Sequence, residues 1–165
     1  MKPLPPPDSH HLAAAEGWLG LSNPTEARHE LARIARPLRT HPEVMRVRYQ
    51  LYASTKKWAL AAKTAQALCR KFPEVPFGCI HLAYALHELK RTSEAYTILL
   101  PAVERFPDQY VVRYNLACYA CQLGRLDEAR RWLKRAIALA GSEEIKRTAL
   151  ADPDLQPLWT EIQKS

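Results

Sequence analysis

The stretch Tyr114–Ala129, which reads YNLACYACQLGRLDEA, decides the fold of this chain. Its first part is a run of small and large apolar residues without a helix breaker, which predicts a helix with an extensive buried face. Gly124 then interrupts the run, because glycine favours the left-handed backbone at which helices end. A second helical pattern follows, with the small residue Ala129 on its buried face. The stretch therefore predicts two helices joined by a tight turn.

The same small residue recurs upstream at a fixed spacing of 34 residues. The recurring positions are Ala27, Ala61, Ala95 and Ala129. Further buried-face residues follow each alanine after four and seven positions: Leu31 and Ile34, Ala65 and Leu68, Leu99 and Ala102, and Leu133 and Ala136. This spacing marks one face of a helix. A small residue on that face lets a neighbouring helix approach closely, so the chain predicts four copies of one helix–turn–helix unit.

Turn residues and prolines punctuate the copies. Turn signals separate the two helices of each copy, at Ser22-Asn23-Pro24, Thr55-Lys56-Lys57, Lys90-Arg91-Thr92 and Gly124-Arg125. Helix-breaking residues separate one copy from the next, at Pro42, Pro73 with Pro76, Pro107 and finally Gly141. Two antiparallel helices in each 34 residues resemble the tetratricopeptide repeat (TPR), most closely in the fourth copy. The resemblance implies an all-α, right-handed superhelical solenoid of TPR-like repeats with a C-terminal capping helix.

The resemblance also predicts how the chain is divided. Residues 1–7 are predicted to be a disordered, proline-rich tail, and repeats are expected at about 8–41, 42–75, 76–109 and 110–141. Residues 142–165 are predicted to form capping helices over the apolar edge of the last repeat. The first helix of the second repeat departs from the pattern, because Arg48 and Tyr49 fall where a leucine and a small residue are expected. A slip of one residue would bury Val44, Val47 and Leu51 instead, so its register remains open.

In the tetratricopeptide family, the first helices of the repeats line a concave face that binds partners. By resemblance, the residues on those helices that point away from the buried stripe are candidate groove residues. They are Leu12, Glu16, Arg46, Tyr49, Gln50, Phe77, His81, Tyr84, Glu88, Tyr114, Asn115, Cys118 and Gln122. Such an aromatic and polar lining suits a partner segment with apolar or aromatic anchors. The alternative for the tyrosines is packing between adjacent repeats.

The net charge of +7 permits acidic partners of several kinds without selecting one. Basic residues crowd the second helix of the fourth repeat, where Arg130, Arg131, Lys134 and Arg135 form a candidate basic patch. This patch could bind nucleic acid or an acidic partner, but a solvated outer face is the simpler interpretation. Helical-repeat proteins that read RNA use matching polar pairs in every repeat, and these repeats show none.

Groups that carry chemistry are sparse. Cys118 and Cys121 form a Cys-x-x-Cys pair in the middle of a predicted helix, where no helix N-terminus activates a thiol and no further zinc ligands are near in sequence. We interpret them as reduced, buried thiols. The histidines do not form the spacing of a helical zinc site, and no glycine-rich phosphate loop occurs. The sequence therefore predicts no enzyme activity, no cofactor and no metal.

Taken together, these patterns predict a cytoplasmic, non-catalytic interaction module that binds a peptide segment of another protein in the groove. It would serve as an adaptor, co-chaperone or assembly factor. The alternatives are a basic convex face that binds nucleic acid and a chaperone for secreted substrates. No apolar run is long enough for a membrane span, and the N-terminus lacks the apolar core of a secretory signal.

Overall fold

The computed structural model of the chain describes residues 3–164, apart from the side chain of Ser142. The α-helices are α1 (Asp8–Gly20), α2 (Pro24–Arg33), α3 (Pro42–Ser54), α4 (Trp58–Lys71), α5 (Pro76–Glu88), α6 (Thr92–Leu99), α7 (Ala102–Arg105), α8 (Tyr110–Gln122), α9 (Leu126–Ala140), α10 (Ser142–Ala151) and α11 (Trp159–Ile162). Short 3₁₀ helices cover Arg36–Thr40 and Pro153–Leu158. Within this range no residue lies in a strand. The fold is an all-α helical-repeat solenoid, as the sequence predicted.

The chain divides into two compact units, Met1–Ala85 and Leu86–Ser165, and the division falls within α5. In the first unit, α1 packs against α2 and α3, and α3 packs against α4. In the second unit, α8 packs against α6 and α9, while α10 packs against α9. Among the helices described, none combines the length and the apolar character needed to cross a bilayer.

The alanine column that predicted the repeats is buried throughout. Ala27, Ala61, Ala95 and Ala129 have no exposed surface. The residues four and seven positions after each alanine are at most 4% exposed. Because alanine adds only a methyl group, a neighbouring helix can lie close at each of these points. This confirms the buried stripe on the second helix of each pair.

The turns repeat the same backbone conformation at the same 34-residue spacing. Residues with positive φ occur at Ser22 (57°), Lys56 (53°), Lys90 (64°) and Gly124 (74°). At each turn two amide groups close the preceding helix, as where the Lys57 N–H donates to the Tyr52 carbonyl over 2.8 Å. Only Gly124 adopts this left-handed conformation without a Cβ penalty, so the other turns are held by their hydrogen bonds.

Helix α3 resolves the open register of the second repeat. Val44, Val47 and Leu51 are buried, as the slipped pattern requires. Tyr49 is buried as well, with 3% of its surface exposed. Arg48 lies at the edge of the core, where its guanidinium donates to the Arg39 carbonyl over 3.3 Å.

The N-terminal segment departs from the prediction of a disordered tail. Leu4 is buried and belongs to the core cluster of the first unit, together with Leu12 and Ile34. Asp8 is also buried, and its carboxylate accepts a hydrogen bond from the Ala35 N–H over 2.6 Å. An apolar anchor and a buried carboxylate therefore hold Pro3–Asp8 to the first unit. Met1 and Lys2, which belong to the predicted tail, lie outside the described residues.

The residues predicted to cap the last repeat form α10, the 3₁₀ helix Pro153–Leu158 and α11. Their apolar side chains are buried, namely Ile145, Ala149, Leu155, Leu158 and Ile162. The 3₁₀ helix packs against α8 and α9. Its start, from Asp152 to Asp154, consequently reaches the face of α8 on which groove residues were predicted.

Candidate functional site

An aromatic cluster lies on the first unit, where α5 brings candidate groove residues to one face. The rings of Phe77 and His81 stack with their centroids 3.7 Å apart. Tyr49 of α3 meets both rings edge-on, at 5.6 Å from Phe77 and 4.9 Å from His81. Tyr84 continues the face and is 41% exposed, with an edge contact to Trp58 at 5.7 Å. We call the partly exposed side chains Phe77, His81 and Tyr84 the α5 face.

The imidazole of His81 is fixed within this cluster. Its Nδ1 lies 2.9 Å from the Phe77 carbonyl, which can only accept, so Nδ1 carries the proton. Burial lowers the pKa of His81, against a smaller opposing effect of that hydrogen bond. Near neutral pH the α5 face therefore presents an uncharged imidazole stacked on a phenyl ring.

A cavity of about 190 Å³ lies beside Phe77. It is lined by Pro42, Glu43, Arg46, Leu68, Phe72, Val75, Phe77 and Gly78. Its position depends on a close approach of α5 to α4. A Cβ on Gly78 would lie only 2.5 Å from the Cys69 backbone nitrogen, so a larger residue cannot be accommodated there without moving a helix.

The other predicted groove residues of the first unit divide into polar surface and core. Arg46 forms an ion pair with Glu16, and Gln50 is exposed. Leu12 is only 6% exposed and packs in the core cluster, so its prediction as a groove residue was wrong. Tyr49 is likewise too deeply buried to contact a partner, because Phe77 and His81 pack against it.

On the second unit, the C-terminal segment covers the predicted groove residues of α8. The Tyr114 hydroxyl donates to the Asp152 carboxylate over 2.9 Å, and the Cys118 thiol approaches the same oxygen at 3.5 Å. Gln122 donates from its amide to the Asp154 carbonyl over 3.0 Å. Tyr114 and Cys118 are 8% and 4% exposed. Their prediction as accessible groove residues is therefore corrected: the chain itself fills the space in front of them.

A buried histidine completes this contact. His87 places Nε2 2.8 Å from the Asp154 carboxylate and Nδ1 3.0 Å from the Thr92 hydroxyl. Its ring also packs on Tyr119, with centroids 5.0 Å apart. Asp152 and Asp154 stand at the start of the 3₁₀ helix Pro153–Leu158. Asp152 does cap that helix, since its carboxylate accepts from the Asp154 N–H over 3.0 Å.

The surroundings of Tyr114 and Cys118 keep both side chains protonated. Burial raises the pKa of the Tyr114 phenol and of the Cys118 thiol, and the carboxylate of Asp152 raises both further. Burial also raises the pKa of Cys121. Neutral hydroxyl and thiol groups thus face a carboxylate acceptor on this side of α8. The remaining candidates of the second unit, Glu88 and Asn115, are partly exposed.

The candidate basic patch on α9 is partly neutralised. Arg130 donates to both Glu161 oxygens over 2.7 Å and 2.6 Å, and to Asp127 over 2.6 Å. These hydrogen bonds, first of all the one to Glu161, raise the pKa of Arg130. Arg135 lies over the Trp132 ring, 5.0 Å from its centroid. Arg131 and Lys134 are exposed, so the patch offers fewer available charges than the sequence indicated.

Comparison with solved structures identifies the fold. Neither a protein-family model nor a curated protein sequence matches the chain. Among solved structures, a thermophilic TPR protein from Thermus thermophilus is 18% identical, with a TM-score of 0.76 over 94% of this chain and 82% of that chain. MamA from Desulfovibrio magneticus RS-1 is 15% identical, with a TM-score of 0.75 over 98% and 96%. MamA from AMB-1 is 16% identical, with a TM-score of 0.68 over 95% and 90%. The chain therefore has the fold of the tetratricopeptide-repeat proteins.

Proposed function

We propose that this protein is a non-catalytic interaction module of the cytoplasm, an adaptor, co-chaperone or assembly factor that binds a peptide segment of another protein. The α5 face is the proposed binding surface. One observation carries the proposal: on α5 the predicted groove residues remain partly exposed, whereas on α8 Tyr114, Cys118 and Gln122 are engaged by Asp152 and Asp154. A partner that enters by the predicted groove can contact Phe77, His81 and Tyr84 of the first unit, whereas Tyr114 and Cys118 of the second unit are covered.

The chemistry of the α5 face favours a segment with an apolar or aromatic anchor. Stacked rings supply a large contact area that loses little conformational entropy on binding. The adjacent cavity of about 190 Å³ exceeds the roughly 150 Å³ that holds a benzene ring in an engineered core. It therefore has room for one phenyl-sized side chain of the partner. Arg46 and Glu43 line the same cavity and supply polar contacts for the flanking peptide backbone.

Truncation of Tyr84 tests the proposal, and the chain offers a matched control. Tyr84→Ala removes a ring that is 41% exposed on the α5 face, and Tyr110→Ala removes one that is 38% exposed on α8. Partners are captured from the native cell, and segments of a retained protein are then titrated as synthetic peptides. We expect Tyr84→Ala to weaken peptide binding by about 2 kcal/mol, the size of an interface hot spot. Tyr110→Ala should leave the affinity unchanged.

Circular dichroism of both variants must show the helicity of the unmodified chain, so that loss of binding is not loss of fold. Equal binding by Tyr84→Ala and the unmodified chain would contradict the assignment of this surface. Unfolding of Tyr84→Ala would instead place that tyrosine in the core. In that event Gln50→Ala, at an exposed groove position predicted on the neighbouring helix α3, provides the second test of the groove in the first unit.

A further inference from the structure

A second surface lies on the second unit, where α9, α10 and α11 enclose a groove of about 490 Å³. Its floor is apolar: Leu133, Leu158 and Ile162 are buried, and Ile137 is partly exposed. Its rim is formed by Arg130, Lys134, Lys146 and Glu161. The volume falls within the range of about 300–1,000 Å³ that is usual for ligand sites. The groove thus combines an apolar floor with a charged rim.

The charges of this rim are unequal in their pairing. Glu161 accepts two hydrogen bonds from Arg130, so the single carboxylate of the rim is already neutralised. Among the residues that the structure describes, neither Lys134 nor Lys146 has a carboxylate partner. Lys134 follows Arg130 by one helical turn and therefore lies on the same side of α9. Two ammonium groups without a carboxylate partner, one on α9 and one on α10, thus line the groove.

From this charge pattern we infer that the groove docks an acidic segment of a partner protein. Apolar side chains of the segment would cover Ile137 and the floor around it, and its carboxylates would pair with Lys134 and Lys146. The chain already shows this chemistry one turn away, where Glu161 docks on Arg130. A protein segment fits better than nucleic acid, because phosphates would leave the apolar floor uncovered. The site is separate from the α5 face and does not depend on the proposed function.

A designed peptide pair supplies the probe. The first is a fluorescein-labelled helical peptide with leucines four residues apart and flanking glutamates, and the second carries alanine in place of each leucine. Fluorescence anisotropy is measured with the full chain and with Lys134→Glu/Lys146→Glu. The matched control is Lys63→Glu/Arg70→Glu, which makes the same change of net charge at exposed positions of α4. Ile137→Ser tests the floor.

We expect the leucine peptide to bind at least about tenfold more tightly than the alanine peptide. We expect Lys134→Glu/Lys146→Glu and Ile137→Ser each to weaken it by about tenfold, and the α4 control by less than about twofold. Equal weakening by the control would reduce the effect to net charge and overturn the proposal. So would equal affinity for the two peptides, or no binding at millimolar peptide. Binding of fluorescein-labelled oligouridine in place of the peptide, lost in Lys134→Glu/Lys146→Glu, would overturn it in favour of nucleic acid.

Discussion

The faces of α5 and α8 were predicted from similar repeat positions, yet Tyr84 and Cys118, which lie 34 residues apart, end in opposite states. Tyr84 on α5 is 41% exposed, whereas Cys118, its equivalent on α8, is 4% exposed. Their helices have the same length and comparable apolar content. The difference arises from the residues that follow the last repeat, because the Asp152 carboxylate lies against Cys118 and the neighbouring Tyr114. Whether a groove residue is accessible therefore depends on what the chain lays over it as well as on its position in the repeat.

The two faces also differ in the kind of contact that stabilises them. The α5 face is held by ring stacking and apolar packing between uncharged groups, together with the hydrogen bond from His81 to the Phe77 carbonyl. We call Tyr114, Cys118 and Gln122 the α8 face. Its Tyr114 and Cys118 side chains donate to the Asp152 carboxylate, and His87 near the end of α5 binds the Asp154 carboxylate. Hydrogen bonds to charged acceptors are directional and lose their value when one partner is removed. We therefore expect a different kind of substitution to disrupt the contacts of each face.

The largest effect is expected at Gly78, whose close contact with α4 positions the α5 face. Gly78→Ala would place a methyl group 2.5 Å from the Cys69 backbone nitrogen, which cannot rotate away. We expect a loss of about 3 kcal/mol in the free energy of unfolding, the upper end for overpacking. Urea denaturation followed by circular dichroism measures it. Gly17→Ala is the control, because nothing lies within 4 Å of its added Cβ and helix propensity should stabilise it by up to about 1 kcal/mol.

Equal stability of the two alanine variants would show that α4 and α5 separate more readily than their packing implies. A destabilised but folded Gly78→Ala variant should also lose the peptide affinity of the α5 face, because Phe77 precedes Gly78 on the same helix. The groove of the second unit around Lys134 and Lys146 should retain its affinity for the leucine peptide.

A smaller effect is expected when the α8 face is opened. Asp152→Ala removes the acceptor of the Tyr114 hydroxyl and the cap on the Asp154 N–H. We expect a loss of about 1–3 kcal/mol in the free energy of unfolding, because a buried hydroxyl is left without its partner. The Cys118 thiol should also react faster with a thiol-specific reagent, since the carboxylate that helps to raise its pKa is gone.

Mass spectrometry of the labelled chain identifies which cysteine has reacted. Asp108→Ala, at an exposed position between α7 and α8, is the matched control and should leave both stability and labelling unchanged. An unchanged labelling rate of Cys118 in Asp152→Ala would mean that the C-terminal segment does not protect this face.

Much of the fold could be predicted from the sequence, because its signal is local and periodic. The buried alanine column follows from a 34-residue spacing that is visible without coordinates. The left-handed turns at Lys56 and Lys90 could not be predicted from residue type, since lysine does not favour positive φ. Their left-handed conformation is indicated only by the alignment of these two positions with Gly124 in the repeat.

The candidate site was predicted less completely, because the accessibility of its residues depends on contacts between distant parts of the chain. Tyr114 and Asp152 are separated by 38 positions, and no pattern around either residue indicates the other. Leu4 was missed for a related reason: one leucine among prolines carries no periodicity, yet it packs in the core cluster. Burial of a single residue by a distant segment leaves no local signature in the sequence.

The smallest effect is expected from pH, at His81 on the α5 face. Burial lowers the pKa of His81 below its ordinary value of 6.5, so the folded chain binds fewer protons at this residue than the unfolded chain does. The free energy of unfolding should therefore fall as the pH drops through about 6.5 towards the lowered folded value. Urea denaturation at several pH values between about 7.5 and 5.5 should show a shallower fall for His81→Phe, which keeps a ring stacked on Phe77. His10→Phe, at an exposed position of α1, should keep the original slope. Identical slopes for the unmodified chain and His81→Phe would show that His81 has the same pKa in the folded and the unfolded chain. The α5 face would then be more hydrated than its stacked rings imply.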